Sequence, residues 1–343
     1  MHKPRLFVHV GLPKCGSTSI QLRLASNRTA LLERGMFYPL MPPNEGGQQP
    51  VGHMRLATSM QRPGGISPLL ADVLRKFAES GARDLCISSE SFVARTDTLR
   101  VESVGNHLSG FGTRLIAFYR RHDEWIVSRF KQAVFGRDYT GSMAQFVANP
   151  PAAYVGMVEF DIADRLDRLA KLFGAGDIRV VDLAANGGDA VAEMGRFIGV
   201  PLESWQSDPT IMAESNALKV EEGAANVSLG NLDTLYLRDV NRLEPDAELR
   251  NAILVALLRT AGEEPPTRLM RKPMAERLRA TFERVNRPLF DRYGLEPHGP
   301  SKPARGPFRA ELEAHERNAI TSRILNAMES IQRDAAGRLL AKL

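Results

Sequence analysis

Short apolar runs alternate with segments of helical periodicity along the first part of the chain. The runs have the length and composition of buried strands, and they lie at 5–10, 84–88, 113–119 and 178–183, with a short extended piece at 36–38. Apolar spacing between them predicts helices over 17–34, 69–80, 97–109, 122–136, 157–173 and 188–198, and a short one near 53–60. This alternation predicts an α/β fold with three layers, a central parallel sheet flanked by helices.

The rest of the chain has a different pattern. From residue 216 onward it is almost wholly helical, and Ile320, Ile324, Met328 and Ile331 form an amphipathic stripe in the tail. We expect this stripe to pack on the body of the protein; a contact between two copies, giving a homodimer, is the alternative. The predicted organisation is one domain over 1–300 followed by a helical C-terminal extension over 301–343.

Composition narrows the classes of partner and compartment. The net charge of +5 and the pI near 9.3 suit a protein that binds a polyanionic nucleotide. Nucleic acid is not an expected partner, because no basic tract is interleaved with aromatic residues. Two cysteines make neither a disulfide framework nor a metal site. Without an apolar run of about 20 residues or room for a signal peptide before the first strand, we expect a cytoplasmic protein with no transmembrane segment.

The strand at 5–10 leads into the turn Gly11-Leu-Pro-Lys-Cys-Gly16, which opens a helix beginning Ser17-Thr18-Ser19. A helix N-terminus presents backbone N–H groups and a positive dipole end, which together bind anions. The hydroxyls add donors, and Lys14 adds a cation. The ATP-binding loop has its lysine after the second glycine. Here Lys14 precedes Gly16, so the loop is a phosphate cradle of another kind.

This loop resembles the 5′-phosphosulfate loop of sulfotransferases that use 3′-phosphoadenosine-5′-phosphosulfate (PAPS), in a P-loop-like fold. The same family binds the 3′-phosphate with an arginine at a strand end and a serine eight residues later. Arg120 follows the strand at 113–119, and Ser128 lies eight residues further on, in the next helix. The fork of an arginine side chain bonds two phosphate oxygens at once. The resemblance therefore implies that PAPS is bound by Lys14, Cys15, Gly16, Ser17, Thr18, Ser19, Arg120 and Ser128.

The resemblance also implies a mechanism. Lys14 is expected to stabilise negative charge on the leaving group, and no metal is required. Glu90, in Glu90-Ser-Phe92 after the strand at 84–88, is the first candidate for the base that takes the acceptor proton; a structural glutamate capping the next helix is the alternative. His53 is the second candidate base. His122, two residues after Arg120, is expected to act electrostatically.

The leading hypothesis is a PAPS-dependent sulfotransferase acting on a hydroxyl or amine of a carbohydrate or glycolipid. A P-loop kinase or other NTPase is the alternative, with Asp182 at the end of Ile178-Arg-Val-Val-Asp182 as its magnesium-holding residue. A non-catalytic anion-binding module is a third class. Segment 39–68, with eleven Pro or Gly, and segment 137–156 are the expected walls of the acceptor pocket.

Overall fold

The computed structural model describes residues 3–45, 49–63, 65–101, 104–185, 187–208, 211, 229–262, 264–298, 306–328 and 330–343. Its centre is a five-stranded sheet in the order β2-β3-β1-β4-β5, in which every pairing is parallel. The strands are β1 (Arg5–Gly11), β2 (Met36–Phe37), β3 (Asp84–Ser88), β4 (Gly112–Tyr119) and β5 (Ala175–Asp182). The predicted α/β class, with a parallel sheet flanked by helices, is confirmed.

Helices follow and precede the strands throughout. They are α1 (Ser17–Ser26), α2 (Arg28–Glu33), α3 (Met54–Ser59), α4 (Pro68–Ser80), α5 (Ser91–Ala94), α6 (Gly105–Leu108), α7 (His122–Arg137), α8 (Met143–Ala148), α9 (Ile162–Phe173), α10 (Ala190–Ile198), α11 (Asn231–Asn241), α12 (Ala247–Arg259), α13 (Lys272–Val285), α14 (Arg287–Tyr293), α15 (Ala314–Ala327) and α16 (Ser330–Leu340).

The central strands are buried on both faces. Leu6, Phe7, Val8 and Val10 of β1 have at most 1% of their surface exposed. Strands covered on both faces have near-continuous apolar sequences, which explains why the strands could be predicted from the sequence. Since β1 lies between β3 and β4, its carboxyl end is flanked by the ends of both neighbours.

Three predicted helices differ from the structure. The single helix expected over 17–34 is two helices that meet at Asn27, whose side-chain amide donates to the carbonyl oxygens of Arg23 and Gln206. The helix expected from 157 begins at Ile162, because the Asp161 carboxylate caps it by accepting from the Asp164 N–H. In place of the helix expected over 97–109, the described residues form the 3₁₀ turn Thr96–Thr98, which follows a break after α5, and then α6. The Thr96 hydroxyl bonds back to the Phe92 and Val93 carbonyl groups and so supports that break.

Contacts group the chain into two compact units. The first contains the sheet and comprises Met1–Arg120, Asp161–Ala217 and Asn286–Glu296; the second is helical and comprises Arg121–Phe160, Leu218–Val285 and Pro297–Leu343. The predicted domain boundary near 300 lies outside the described residues and stays a prediction.

The tail stripe packs within the second unit. Ile320, Ile324 and Met328 are buried, and α15 contacts α11 and α12. The side chain of Ile331 lies outside the described residues. Arg238 of α11 is also buried in this unit, where it donates to Asp239 Oδ1 at 2.8 Å and to the Ala310 carbonyl oxygen at 2.7 Å. The packing of the tail on its own unit is thus as expected.

Candidate functional site

The carboxyl ends of β3, β1 and β4 meet at one edge of the sheet. The Leu12 N–H, just after β1, donates to the Phe118 carbonyl oxygen of β4 at 2.8 Å. On the other side, the Ser89 N–H after β3 donates to the His9 carbonyl oxygen of β1 at 2.9 Å. The phosphate-cradle loop therefore begins between the segment that leads to Glu90 and the segment that leads to Arg120. Ligands of open α/β sheets bind at such carboxyl ends.

The loop has a backbone that requires its glycines. Gly11 has φ +113° and Gly16 has φ +83°, both in the left-handed region. A Cβ on Gly11 would lie 2.9 Å from Glu90 Cα, and one on Gly16 would lie 2.5 Å from Ala190 Cβ at the start of α10. Lys14 is also left-handed, with φ +64°, and its side chain is exposed. The glycines thus let the loop pass close to its neighbours while Lys14 faces solvent.

Helix α1 begins directly after the loop and is open to an anion. Gly16 at its N-cap supplies no side chain, and no acidic residue occupies the first turn. The first N–H groups of a helix have no partner within it, so they can bind an anion. Thr18 is exposed and Ser19 half-buried, whereas the buried Ser17 hydroxyl donates to the Leu12 carbonyl oxygen at 3.3 Å. Hence Ser17 ties the loop together, and Thr18 and Ser19 are the more accessible hydroxyls.

Cys15 lies inside the loop with only 1% of its surface exposed. Because this side chain is buried, we expect only the backbone of Cys15 to be able to contact a ligand. The second cysteine, Cys86 of β3, is fully buried, and burial raises the pKa of its thiol. The two cysteines do not form a disulfide.

Glu90 lies between β3 and α5 and is half-buried. Its carboxylate Oε2 accepts a hydrogen bond from Gln21 Nε2 of α1 at 3.1 Å. The side chain makes no capping hydrogen bond to α5 in the described chain, so the capping alternative considered for this residue does not match its contacts. The carboxylate therefore stands at the same sheet edge as Lys14.

His53 is completely buried and held by backbone groups at both ring nitrogens. Nδ1 accepts from the Ser88 N–H at 2.9 Å, and Nε2 donates to the Pro39 carbonyl oxygen at 2.9 Å. Desolvation lowers the pKa of this imidazole to about 4. These contacts join the Pro/Gly-rich segment to β3. His53 as a base stays a prediction, but its two nitrogens are committed to the fold.

Arg120 follows β4 directly and is half-buried, at the strand end where the sequence predicted it. Ser128 is half-buried on α7, which belongs to the helical unit, and its assignment to the 3′-phosphate stays a prediction. His122 is buried against the Phe282 ring, with centroids 4.5 Å apart, and desolvation lowers the pKa of His122 to about 4. An imidazole that is neutral near pH 7 does not supply the electrostatic attraction expected of it.

Two side chains near the loop have roles that the sequence did not reveal. Gln21 lies four residues after Ser17 and so one turn further along α1, and its local sequence gives no sign of a role at the site. His9, in the middle of β1, is fully buried with Nδ1 2.7 Å from the Ser88 hydroxyl, and desolvation lowers its pKa to about 3. A histidine inside an apolar strand was the available signal for a buried polar contact.

Asp182 ends β5, which pairs with β4 and not with β1. Its Oδ1 accepts from the Ala184 N–H at 2.9 Å. Burial raises the pKa of Tyr119, and the negative charge of Asp182 raises it further. Strands lie about 4.8 Å apart, so Asp182 is two strand spacings from β1. It is used in a turn at the edge of the sheet.

Metal clusters and membrane-spanning helices are both missing from the part of the chain that the structure describes. No group of three or more His, Cys, Asp or Glu side chains that could hold a metal ion occurs among these residues. Across the same ranges, the helices are all too short or too polar to cross a lipid bilayer.

Comparison with known proteins finds a distant likeness in structure. No family model and no curated protein sequence matches the chain. A crystal structure of a sulfotransferase from Alicyclobacillus acidocaldarius aligns with 66% of this chain and 99% of its own, at 15% sequence identity and a TM-score of 0.36. Similarity at this level carries no conclusion about activity, and the functional assignment below is made from the residues of the site.

Proposed function

We propose that the protein is a sulfotransferase that moves a sulfuryl group from PAPS to a hydroxyl or amine of an acceptor. The observation that carries the proposal is the set of groups at the ends of three adjacent parallel strands. Lys14 follows β1 in a glycine-bounded loop, Glu90 follows β3, and Arg120 follows β4. A phosphosulfate donor with a second phosphate needs two anion sites, and the acceptor needs a base.

The hydrogen-bond donors and cationic side chains of the protein suit the negative charges of PAPS. The N-terminus of α1, with no acidic side chain in its first turn, suits the 5′-phosphate, aided by the Thr18 and Ser19 hydroxyls. Gly11 and Gly16 leave the loop without the Cβ atoms that would collide with its neighbours. Arg120 at the end of β4 suits the 3′-phosphate because its guanidinium binds two oxygens together. The sequence-based assignment of Ser128 as its partner is retained as part of this proposal.

Transfer requires charge stabilisation at one end and proton removal at the other. As the bond between sulfur and the bridging oxygen breaks, negative charge grows on that oxygen, and the Lys14 ammonium stabilises it. The acceptor oxygen or nitrogen forms the new bond to sulfur, and its proton passes to the Glu90 carboxylate. The products are the sulfated acceptor and adenosine 3′,5′-bisphosphate. We assign Glu90 and not His53 as the base, because both nitrogens of His53 are bonded to backbone groups.

Isothermal titration calorimetry with two ligands tests the donor site. Adenosine 3′,5′-bisphosphate is expected to bind without magnesium and more tightly than ATP with magnesium. A preference for ATP would contradict the proposal and favour an NTPase. That alternative lacks support at Asp182, whose carboxylate is bonded to the Ala184 N–H two strand spacings from β1. Absence of binding by either nucleotide would favour the non-catalytic class.

For the acceptor we propose a carbohydrate or glycolipid, on the resemblance of Glu90-Ser-Phe92 to glycan-modifying sulfotransferases. Segment 39–68 is a candidate wall, and it is tied down by the Tyr38 hydroxyl donating to the Val51 carbonyl oxygen at 2.7 Å and by the His53 contacts. A screen of sugars, glycolipids and simple alcohols with radiolabelled PAPS tests this class. Label appearing only in non-carbohydrate acceptors would contradict it.

A further inference from the structure

The amide of Gln21 joins the phosphate-loop helix to the end of β3. Gln21 has 8% of its surface exposed, and its Nε2 donates to Glu90 Oε2 at 3.1 Å and to the Ser88 carbonyl oxygen at 3.4 Å. An amide nitrogen carries two N–H donors, and these contacts give each one an acceptor. The orientation of the amide is therefore determined, because its oxygen could not face two acceptors.

Gly52 holds the other side of the same amide. A Cβ on Gly52 would lie 2.5 Å from Gln21 Cδ and closer still to Oε1. Gly52 is not in the left-handed region, so its backbone does not itself require glycine. The next residue, His53, is fixed by its bond to the Ser88 N–H. Gly52 thus leaves the space that Gln21 occupies, in a segment that cannot easily move away.

We propose that Gln21 is a positioning residue for the general base, an inference that rests on the proposed role of Glu90. Its amide engages Oε2 of the Glu90 carboxylate and leaves Oε1 as the oxygen that takes the acceptor proton. A neutral donor suits this task, since a lysine or arginine would stabilise the carboxylate ion and weaken it as a base.

The location of Gln21 gives the contact a further consequence. The same helix α1 presents its N-terminus to the donor phosphate and, one turn later, Gln21 to the base. The sulfuryl donor and the base are therefore both positioned by one rigid helix, and such an arrangement keeps the reacting groups aligned. The Gln21 contact should then affect the rate of transfer more than the binding of the nucleotide.

Steady-state kinetics of Gln21→Ala test the role. Loss of one hydrogen bond to a charged group is expected to lower kcat about 10- to 100-fold. The dissociation constant for adenosine 3′,5′-bisphosphate should stay within about twofold of the wild-type value, because the groups proposed to bind the nucleotide are not altered. In a Glu90→Gln background the same substitution should change kcat little, since Gln21 acts through Glu90. An unchanged kcat, or an equal loss in both backgrounds, would overturn the inference.

Gly52→Ala reaches the same amide without altering Gln21 or Glu90. It is expected to displace the amide and lower kcat by a similar factor, and it should add little to Gln21→Ala. Gly110→Ala is the matched control, because a Cβ there meets no atom within 4 Å and its φ is ordinary. A Gly52→Ala enzyme as active as Gly110→Ala would contradict the inference.

The contact itself can be tested without turnover. In nuclear magnetic resonance spectra, the side-chain amide protons of Gln21 should shift on Glu90→Gln and be unaffected by Gly110→Ala. If this shift occurs but the protein neither binds the bisphosphate nor transfers sulfate, the proposed function fails while the contact stands. If transfer occurs and the amide protons do not respond to Glu90→Gln, the positioning role fails alone.

Discussion

Gly16→Ala tests whether the loop depends on its second glycine for two separate reasons. A left-handed φ costs a residue with a Cβ about 1–2 kcal/mol. At Gly16 the new Cβ would also lie 2.5 Å from Ala190 Cβ, and overpacking of this kind costs about 1–3 kcal/mol. We therefore expect the free energy of unfolding to fall by about 2–5 kcal/mol, a large part of the usual stability of a domain.

Two further variants separate the contributions in urea denaturation followed by circular dichroism. Gly81 has φ +68°, and a Cβ added there would meet no atom within 4 Å, so Gly81→Ala should show the left-handed cost alone. Ala190→Gly removes the colliding carbon and should restore the packing part, about 1–3 kcal/mol, in the Gly16→Ala background. The reasoning would be refuted if Gly16→Ala cost no more than Gly81→Ala, or if Ala190→Gly restored nothing.

Three other predictions concern charge. Lys14→Ala should lower kcat at least about 100-fold, because the ammonium that stabilises the leaving group is lost. The melting temperature should not change, because the side chain is exposed. Lys171→Ala, at another exposed lysine, is the control, and retained turnover in Lys14→Ala would remove Lys14 from the mechanism. Arg120→Ala should weaken the binding of adenosine 3′,5′-bisphosphate about 10- to 100-fold in calorimetry, while the binding of adenosine 5′-phosphate should change little. Arg28→Ala, at an exposed arginine, is the control. Equal losses of affinity for the two ligands would refute the 3′-phosphate assignment. Between pH 6.5 and about 4, unfolded His53 binds a proton that the folded protein does not, so this residue makes stability fall by about 1.4 kcal/mol per pH unit as the pH falls. The buried His9 and His122 add slopes of the same sign. His53→Gln should therefore reduce the slope of denaturation free energy against pH by about 1.4 kcal/mol per pH unit, and an unchanged slope would contradict the burial argument.

The strands and the loop could be predicted because their signals are local. Apolar runs such as Leu6-Phe-Val8 identify a buried strand, and parallel pairing then brings the strand ends to one edge. Arg120 follows such a run directly, and Lys14 and Glu90 follow theirs within a few residues. To predict that these three residues lie at adjacent strand ends, the only further information required was the order of the strands in the sheet.

The features that were not predicted depend on partners distant in sequence. The break at Asn27 involves the carbonyl oxygen of Gln206, 179 residues away. The burial of His53 depends on Ser88 and Pro39, whose backbone groups give no sequence signal of their own. The Gln21 amide contacts Glu90, 69 residues along the chain, and an isolated glutamine on a helix looks like a solvated side chain.

The strand order has a consequence for how the protein folds. β1 pairs with β3 through contacts such as Arg5 to Asp84, 79 residues apart, and with β4 further still along the chain. Non-local parallel pairing forms slowly, since a long loop must close before the strands stabilise each other. During synthesis the loop at 11–16 emerges before Glu90 and Arg120, which follow β3 and β4 along the chain. Under the proposed function, nucleotide binding in a refolding experiment should therefore report the last stage of assembly of the sheet, well after helical structure is regained.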